Sequence, residues 1–596
     1  MPENEPFLST DDPFFSALFE CFDGQSAGFR ILNHNQNASD QNHGASGTSI
    51  LIHGNAGTGK TTLACQMTLQ SLSNINRMKL PDWPEKATAI YLTLDQRASE
   101  IANLMRRLLP EDTDEIVAES PFSIGDLIED EDGIIGAREA ANKNLVTVFP
   151  LPYDAGFSSI ERYLTKLNVL TTSGTSSVRI VVIDSVNLSL QLKDLNAADV
   201  DASTQDGTRL DKTAIRTQAA EAFRKLISHP PANKIRQSER CFSTIVVYEA
   251  AASEHFPEEY FVEGIVALDC SADSHESRTI RIRKARHQPH DSGQHSFSLS
   301  DRGVEVSPSL SVWAQALRTQ LLGNHQLGQQ PEPPRLRMGI APLDQILAAQ
   351  SPYFTTEGSS TLLFGKPGAG KADFLARFLF QSWIEDPDSS IIFGTWKRDP
   401  LNLISDLNTL SKEHPAVIRH FKKSQGSVEN AIGSRLHVLD MRDPYFSLPR
   451  VMSSIVRSVD HPSTGNPTSP YPVKRAGFFG LTNLNESPSA RDEQWNFLRL
   501  LTRFLESRKV SNLLVDWPIG EQSQRNARPL AARLCANEIL CEYDGTATQS
   551  KHDKTSKTAG IYQVTIMRAN FHRLNADLRI LPADIEIRHL AKKLDM

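Results

Sequence analysis

Cysteine is scarce in this chain: there are six in 596 residues (Cys21, Cys65, Cys241, Cys270, Cys535 and Cys541), and no two form a CxxC pair. None combines with histidine at zinc-ligand spacing, which argues against a disulfide-stapled scaffold and a zinc module. The six read as reduced thiols of an intracellular, cytoplasmic protein. Long hydrophobic runs are also missing. Nothing approaches the ~18 consecutive apolar residues of a membrane-spanning helix. The opening stretch MPENEPFLSTDDPFF has neither the basic nor the apolar segment of a secretory leader. Positive charge is in deficit, with 63 Lys and Arg against 71 Asp and Glu, a net charge of -8. A surface built to neutralise a long polyanion carries the opposite balance, so nucleic acid is not the expected partner, although a local basic groove is compatible with these totals.

What is present belongs to a large globular protein. A hydrophobic content of 39% with 22% charged residues supports substantial cores, and at ~150 residues per domain the length exceeds one ordinary core. Two Gly-rich stretches divide it, HGNAGTGKTT in the first half and FGKPGAGKAD in the second. Each follows an apolar, β-branched run (TSILI, STLLF) and precedes apolar residues at helical spacing. Further strand patterns follow the first loop (ATAIYLTLD, NLVTVFPL, VRIVVIDS, FSTIVVYEA), with helical patterns such as ERYLTKLNVL and TQAAEAFRKLI between several of them. Strands alternating with helices predict an α/β fold, a mostly parallel sheet with helices on both faces. The second half repeats the order with SIIFGTW, RLHVLD, GFFGLTNL, SNLLVDW and YQVTIM, an internal duplication. A Pro, Gly and Gln-rich stretch then places the boundaries: domain 1–322, linker 323–335, domain 336–596. Two polar insertions, 194–212 and 547–560, read either as solvated loops or as partner-binding or pore-lining ones.

The first loop has every position of a phosphate cradle. In Gly54-Asn55-Ala56-Gly57-Thr58-Gly59-Lys60-Thr61-Thr62 the glycines let backbone N–H groups turn toward phosphate oxygens, Lys60 supplies charge at the transferred phosphate, and Thr61 offers an oxygen to Mg²⁺. Strand, loop and helix together are the context that distinguishes an ATP-binding motif from a chance match. Asp184 ends a buried β-branched strand, where a carboxylate is costly unless it binds something, and reads as the magnesium-linked acid. Asp95 and Gln96 end another strand at the sheet's carboxyl edge, where Asp95 could align the attacking water. A strand-end Asp can also be a turn residue, the minor reading for Asp184 and the usual one for Asp95 taken alone.

The order GNAGTGKTT, YLTLDQ, VVIDS and IRKARHQPHDSGQHSFSLSDRGVEV resembles the KaiC branch of the RecA-like ATPases, and MGIAPLDQIL…GSSTLLFGKPGAGK resembles the opening of a second such domain. The resemblance implies two tandem RecA-like domains in a self-associating ring, a hexamer, with ATP and Mg²⁺ at the subunit boundaries. It places the family's catalytic glutamates on Asp95 and Gln96. Asp reaches one methylene less far than Glu and Gln accepts no proton, so slow hydrolysis is expected. It places the family's trans-acting Lys-x-Arg on Lys284 and Arg286, and a nucleotide-contacting His on His290.

The second domain departs at each catalytic point. Gly365, Gly368, Gly370 and Lys371 survive as a nucleotide cradle, but Ala372 replaces the magnesium hydroxyl. Trp396 and Lys397 stand where the glutamates belong, and Gly480 or Leu481 where the strand-end Asp belongs. Arg568 stands at the Lys position and Asn570 at the Arg position. The stretch 526–540 has no Ser or Thr to phosphorylate, so autokinase activity is not expected. The leading expectation is an ATPase working through its first domain, with a structural or nucleotide-sensing second domain. The alternatives are an ATP-gated assembly or signalling scaffold and a recombinase-like DNA-repair ATPase.

Overall fold

The structure, a computed structural model, describes residues 7–8, 12, 14–15, 18–19, 28–30, 48–78, 86–109, 117–129, 131–152, 155–166, 176–186, 223–224, 242–249, 257–270, 278–286, 288–323, 337–341, 343–345, 358–442, 447–460, 471–481, 491–517, 530–544, 561–569 and 572–580. Both polar insertions, residues 324–335 of the expected linker, His287 and Asn570 lie outside the described residues. The chain forms two compact units, 1–312 and 313–596.

Unit 1 holds a ten-stranded sheet built from β1 (Ser49–Gly54), β2 (Lys86–Thr93), β3 (Val117–Glu119), β4 (Val146–Pro150), β5 (Ser176–Val186), β6 (Ser243–Glu249), β7 (Gly264–Cys270), β8 (Arg278–Ala285), β9 (His295–Ser300) and β10 (Gly303–Ser307). Their spatial order is β10-β9-β8-β7-β1-β6-β5-β2-β4-β3. The first seven pair in parallel and the last three add as antiparallel strands. Every position of β1 and all but the first of β2 are buried. Because alternate side chains point to opposite faces, burial at every position means that both faces of the sheet are covered. One cover includes Ile160, Tyr163 and Leu164 packed with Leu51, Ile90, Leu92 and Ile183. Helix α1 (Lys60–Met78) runs directly out of the loop after β1.

Unit 2 repeats this plan with β11 (Ser360–Gly365), β12 (Ser390–Thr395), β13 (Leu436–Asp440), β14 (Val473–Phe479), β15 (Ser511–Asp516), β16 (Asn537–Asp544), β17 (Ile561–Ala569) and β18 (His572–Ile580), in the order β13-β12-β14-β15-β11-β16-β17-β18. Outward from the loop strand, β1-β6-β5-β2-β4 in unit 1 matches β11-β15-β14-β12-β13 in unit 2. On the other side β7-β8-β9 matches β16-β17-β18. Helix α2 (Lys371–Glu385) follows the second loop as α1 follows the first.

The strand registers make equivalent residues explicit and correct two sequence assignments. Thr93 pairs with Asp184 across β2 and β5, and Thr395 pairs with Phe479 across β12 and β14. The next backbone bonds agree, Leu94 N to Asp184 O at 2.7 Å and Trp396 N to Phe479 O at 3.0 Å. The counterpart of Asp184 is therefore Phe479, not Gly480 or Leu481. The counterparts of Asp95 and Gln96 are Lys397 and Arg398, not Trp396 and Lys397. Apolar strand ends hide such one- and two-residue offsets, because several residues there satisfy the same pattern. Arg568 does stand at the position of Lys284: Lys284 pairs with Ile265, Arg568 with Glu538, and a register shift precedes each.

Candidate functional site

Strand β1 ends at Gly54, wedged between β6 and β7, where a Cβ would collide with the carbonyl oxygen of Leu268. Gly57 and Gly59 then take φ of +73° and +97°, the left-handed region open to glycine. Asn55 and Ala56 are exposed on the rim, while Thr58 is buried and donates its hydroxyl to Asn55 O at 2.9 Å, bracing the turn. The loop leads into the N-terminus of α1, whose free N–H groups and dipole favour an anion.

Lys60 lies buried beneath this loop with Nζ donating to Asn55 O at 2.7 Å. Burial lowers its pKa, opposed by the charges of Glu249, Asp184 and Asp95. Thr61 and Thr62, half-buried, open the first turn of α1. Asp184, buried near the C-terminal end of β5, accepts hydrogen bonds from the Tyr91 hydroxyl and from Thr61. Burial pushes its carboxyl above the ordinary range, against the pull of those two bonds and of Lys60. Asp95 is exposed just past β2 and accepts from the Ser185 hydroxyl. Gln96, also exposed, takes the Thr93 hydroxyl on its backbone carbonyl at 2.9 Å.

The fold thus brings Lys60, Thr61, Asp184 and Asp95 together. Thr61 and Asp184 form a pair of hard oxygen donors beside a lysine, a donor set that suits Mg²⁺. A carboxylate held above its ordinary pKa by burial is one that a bound cation would relieve. Lys284 and Arg286 are placed apart on β8 and the turn after it. Lys284 Nζ donates to Glu259 O at 2.6 Å, and Arg286 Nη2 donates to Tyr260 O at 2.8 Å. Burial and the Arg286 charge lower the pKa of Lys284, opposed by Glu263 and Glu259. Among the described residues neither they nor half-buried His290 are hydrogen-bonded to the loop. Sequence reasoning missed Tyr91, Ser185, Glu249 and Arg278, the last donating to Gly57 O at 2.6 Å. Only Tyr91 carried a signal, as a phenol hydroxyl flanked by Ile90 and Leu92 in a buried strand.

Unit 2 rebuilds the cradle. A Cβ on Gly365 would strike the Cys541 carbonyl as one on Gly54 strikes Leu268, and Gly368 and Gly370 have φ of +82° and +73°. Lys371 is 4% exposed, with Nζ donating to Gly365 O and Lys366 O, each at 2.6 Å. The oxygen donors are gone: Thr61, Asp184 and Tyr91 become Ala372, Phe479 and Phe393. That donor set does not fit Mg²⁺.

Two comparisons bear on this architecture. The family model described as "ATPase: KaiC" matches residues 208–311, which run through β6 to β10. The circadian clock protein KaiC2 of Synechocystis sp. (strain ATCC 27184 / PCC 6803 / Kazusa) is 28% identical over 154 residues. That similarity covers 26% of this chain and 24% of the relative, so the chain matches about a quarter of that protein's length. The duplicated sheet order and the loop-strand-helix cradle give both units a RecA-type P-loop plan, and these matches make the chain similar, over part of its length, to the KaiC ATPases.

Proposed function

We propose that the protein is a ring-forming ATPase in which unit 1 binds Mg-ATP and hydrolyses it slowly between subunits, while unit 2 stabilises the ring or senses nucleotide. The observation that carries this reading is the convergence of Lys60, Thr61, Asp184 and Asp95 beneath one phosphate cradle. In this scheme the backbone of residues 54–60 and the start of α1 hold the triphosphate, and Lys60 compensates charge at the transferred group. Thr61 and Asp184 would hold Mg²⁺, which supplies charge neutralisation across the phosphates. Asp95 orients the attacking water and takes its proton, with Ser185 fixing the carboxylate. Lys284 and Arg286, which among the described residues donate to Glu259 O and Tyr260 O and not to their own loop, act on the nucleotide of the neighbouring subunit, beside His290. A hexamer provides the closed set of head-to-tail interfaces that such sharing needs.

The test is phosphate release by the full chain with and without Mg²⁺. K60A should abolish the Mg-dependent rate, and full activity in that variant overturns the assignment. A second reading, an ATP-gated scaffold with incidental turnover, draws on Asp95 itself, a short carboxylate already occupied by the Ser185 hydroxyl and followed by a Gln. It requires the oligomer mass to change with ATP; a mass independent of nucleotide excludes it.

A further inference from the structure

The second cradle differs from the first in a correlated way. Around Lys60 stand Asp184, Asp95 and Glu249, whose charges all act on it. The same register positions around Lys371 hold Phe479, Lys397 and Trp517. The last follows from the pairing of Gly54 with Glu249 and of Phe364 with Asp516, one residue earlier on both strands. Three acids have become two apolar rings and a cation, yet the loop backbone keeps its left-handed glycines and its buried lysine.

The new side chains form one cluster. Lys371 Nζ lies 5.3 Å and Lys397 Nζ 4.7 Å from the centre of the Trp517 ring. Phe479 meets the same indole edge-on at 5.3 Å. Two ammonium groups share one aromatic ring, and Lys397 adds to burial in lowering the pKa of Lys371. The opposing acid is Asp516, buried at the end of β15, and the buried thiol of Cys541 lies on the other side. Arg398 is committed elsewhere, to the Asp406 carboxylate and to Ala372 O at 3.2 Å. A cradle that has exchanged metal-binding oxygens for a second ammonium is arranged for an anion that arrives without a metal.

We propose that unit 2 binds a nucleoside triphosphate as the bare anion, with Lys397 supplying the positive charge that Mg²⁺ supplies in unit 1. This rests on reading both loops as nucleotide cradles. With Ala372, Phe479 and Lys397 where unit 1 has Thr61, Asp184 and Asp95, and with Asp516 buried beside Lys371 as the acid that remains, the bound triphosphate persists unhydrolysed.

The experiment is equilibrium dialysis of the full chain against radiolabelled ATP, in Mg²⁺ and in EDTA, read with tryptophan fluorescence. The expected result is two ATP per chain in Mg²⁺ and one in EDTA. The EDTA-resistant ATP survives K60A, disappears in K371A and binds at least tenfold more weakly in K397E. ATP in EDTA changes the emission of the wild type but not of W517F, a readout that decides the matter even if K371A fails to fold. No ATP bound in EDTA, with one per chain in Mg²⁺ that K60A removes, overturns this proposal and leaves the unit 1 assignment standing. EDTA-resistant ATP that K60A rather than K371A removes also overturns it. No ATP in either condition overturns both.

Discussion

Asp184 is held by two hydroxyls, Thr61 from α1 and Tyr91 from β2, so its orientation depends in part on Tyr91, a group outside the proposed Mg-nucleotide site. D184N should lower the Mg-dependent ATPase rate on the order of 10²–10³-fold, the range for losing one charge-stabilising group at a reacting phosphate. Y91F keeps the ring and loses only the hydroxyl. It should raise the Mg²⁺ concentration for half-maximal rate by roughly 10–100-fold, as removal of an outer partner of a metal ligand does, with little change in the rate at saturation. A magnesium titration of both variants separates the two effects. Lys371 makes a prediction about pH. Burial lowers its pKa from 10.5 to about 8, so between those values the unfolded chain binds more protons than the folded one and stability rises with pH. The cost of burying the cation is therefore full below pH 8. K371M should raise the unfolding midpoint of unit 2 at pH 7, and the gain should shrink toward pH 10. A gain unchanged by pH refutes the assignment.

The two loop strands are constrained by their neighbours more than by their own residues. G54A and G365A each push a methyl group into a carbonyl of the adjacent parallel strand. Each should cost roughly 1–3 kcal/mol or more, measured by urea unfolding, because backbone cannot move aside as a side chain can. In unit 2, Arg475 of β14 crosses under α2. It is 1% exposed, pairs with Glu385 at 2.7 Å, donates to Arg337 O at 2.6 Å and Phe378 O at 3.0 Å, and lies over the Phe378 ring at 4.9 Å. Removing one partner of a buried pair costs ~3–5 kcal/mol when the other is left dry. Glu385 is 38% exposed and can be rehydrated, so R475M should fall at or below the low end. The strands themselves were readable in the sequence, since β-branched runs such as VRIVVID and NLLVD are buried on both faces. Their pairing was not, because β1 hydrogen-bonds to strands nearly two hundred residues further on.

The proposed sharing of each site between subunits makes a prediction about mixtures. On that proposal K60A lacks the phosphate lysine and R286A the cation that acts on a neighbour, so each should be inactive alone. Mixed in equal amounts and reassembled, they should regain about a quarter of the wild-type rate, because a quarter of head-to-tail interfaces join an intact loop to an intact arginine. No recovery despite mixed assembly would place Arg286 in its own subunit's site. The duplication repeats this position, since β17 carries Arg568 at the register position of Lys284.

The chain's own order of residues determined that there are two phosphate loops, that the first is complete and the second lacks its hydroxyl, and that an α/β fold surrounds each. Those features are local: glycine spacing, strand composition and helical period lie within a few neighbouring residues. Only the tertiary structure decided which residue replaces Asp184, because the answer depends on the register between β12 and β14. Only it brought Trp517, Lys371 and Lys397 around one ring and Tyr91 onto Asp184, since parallel strands distant in sequence meet at a common carboxyl edge. Periodicity says which face a side chain takes, and the pairing of distant strands decides what it meets there.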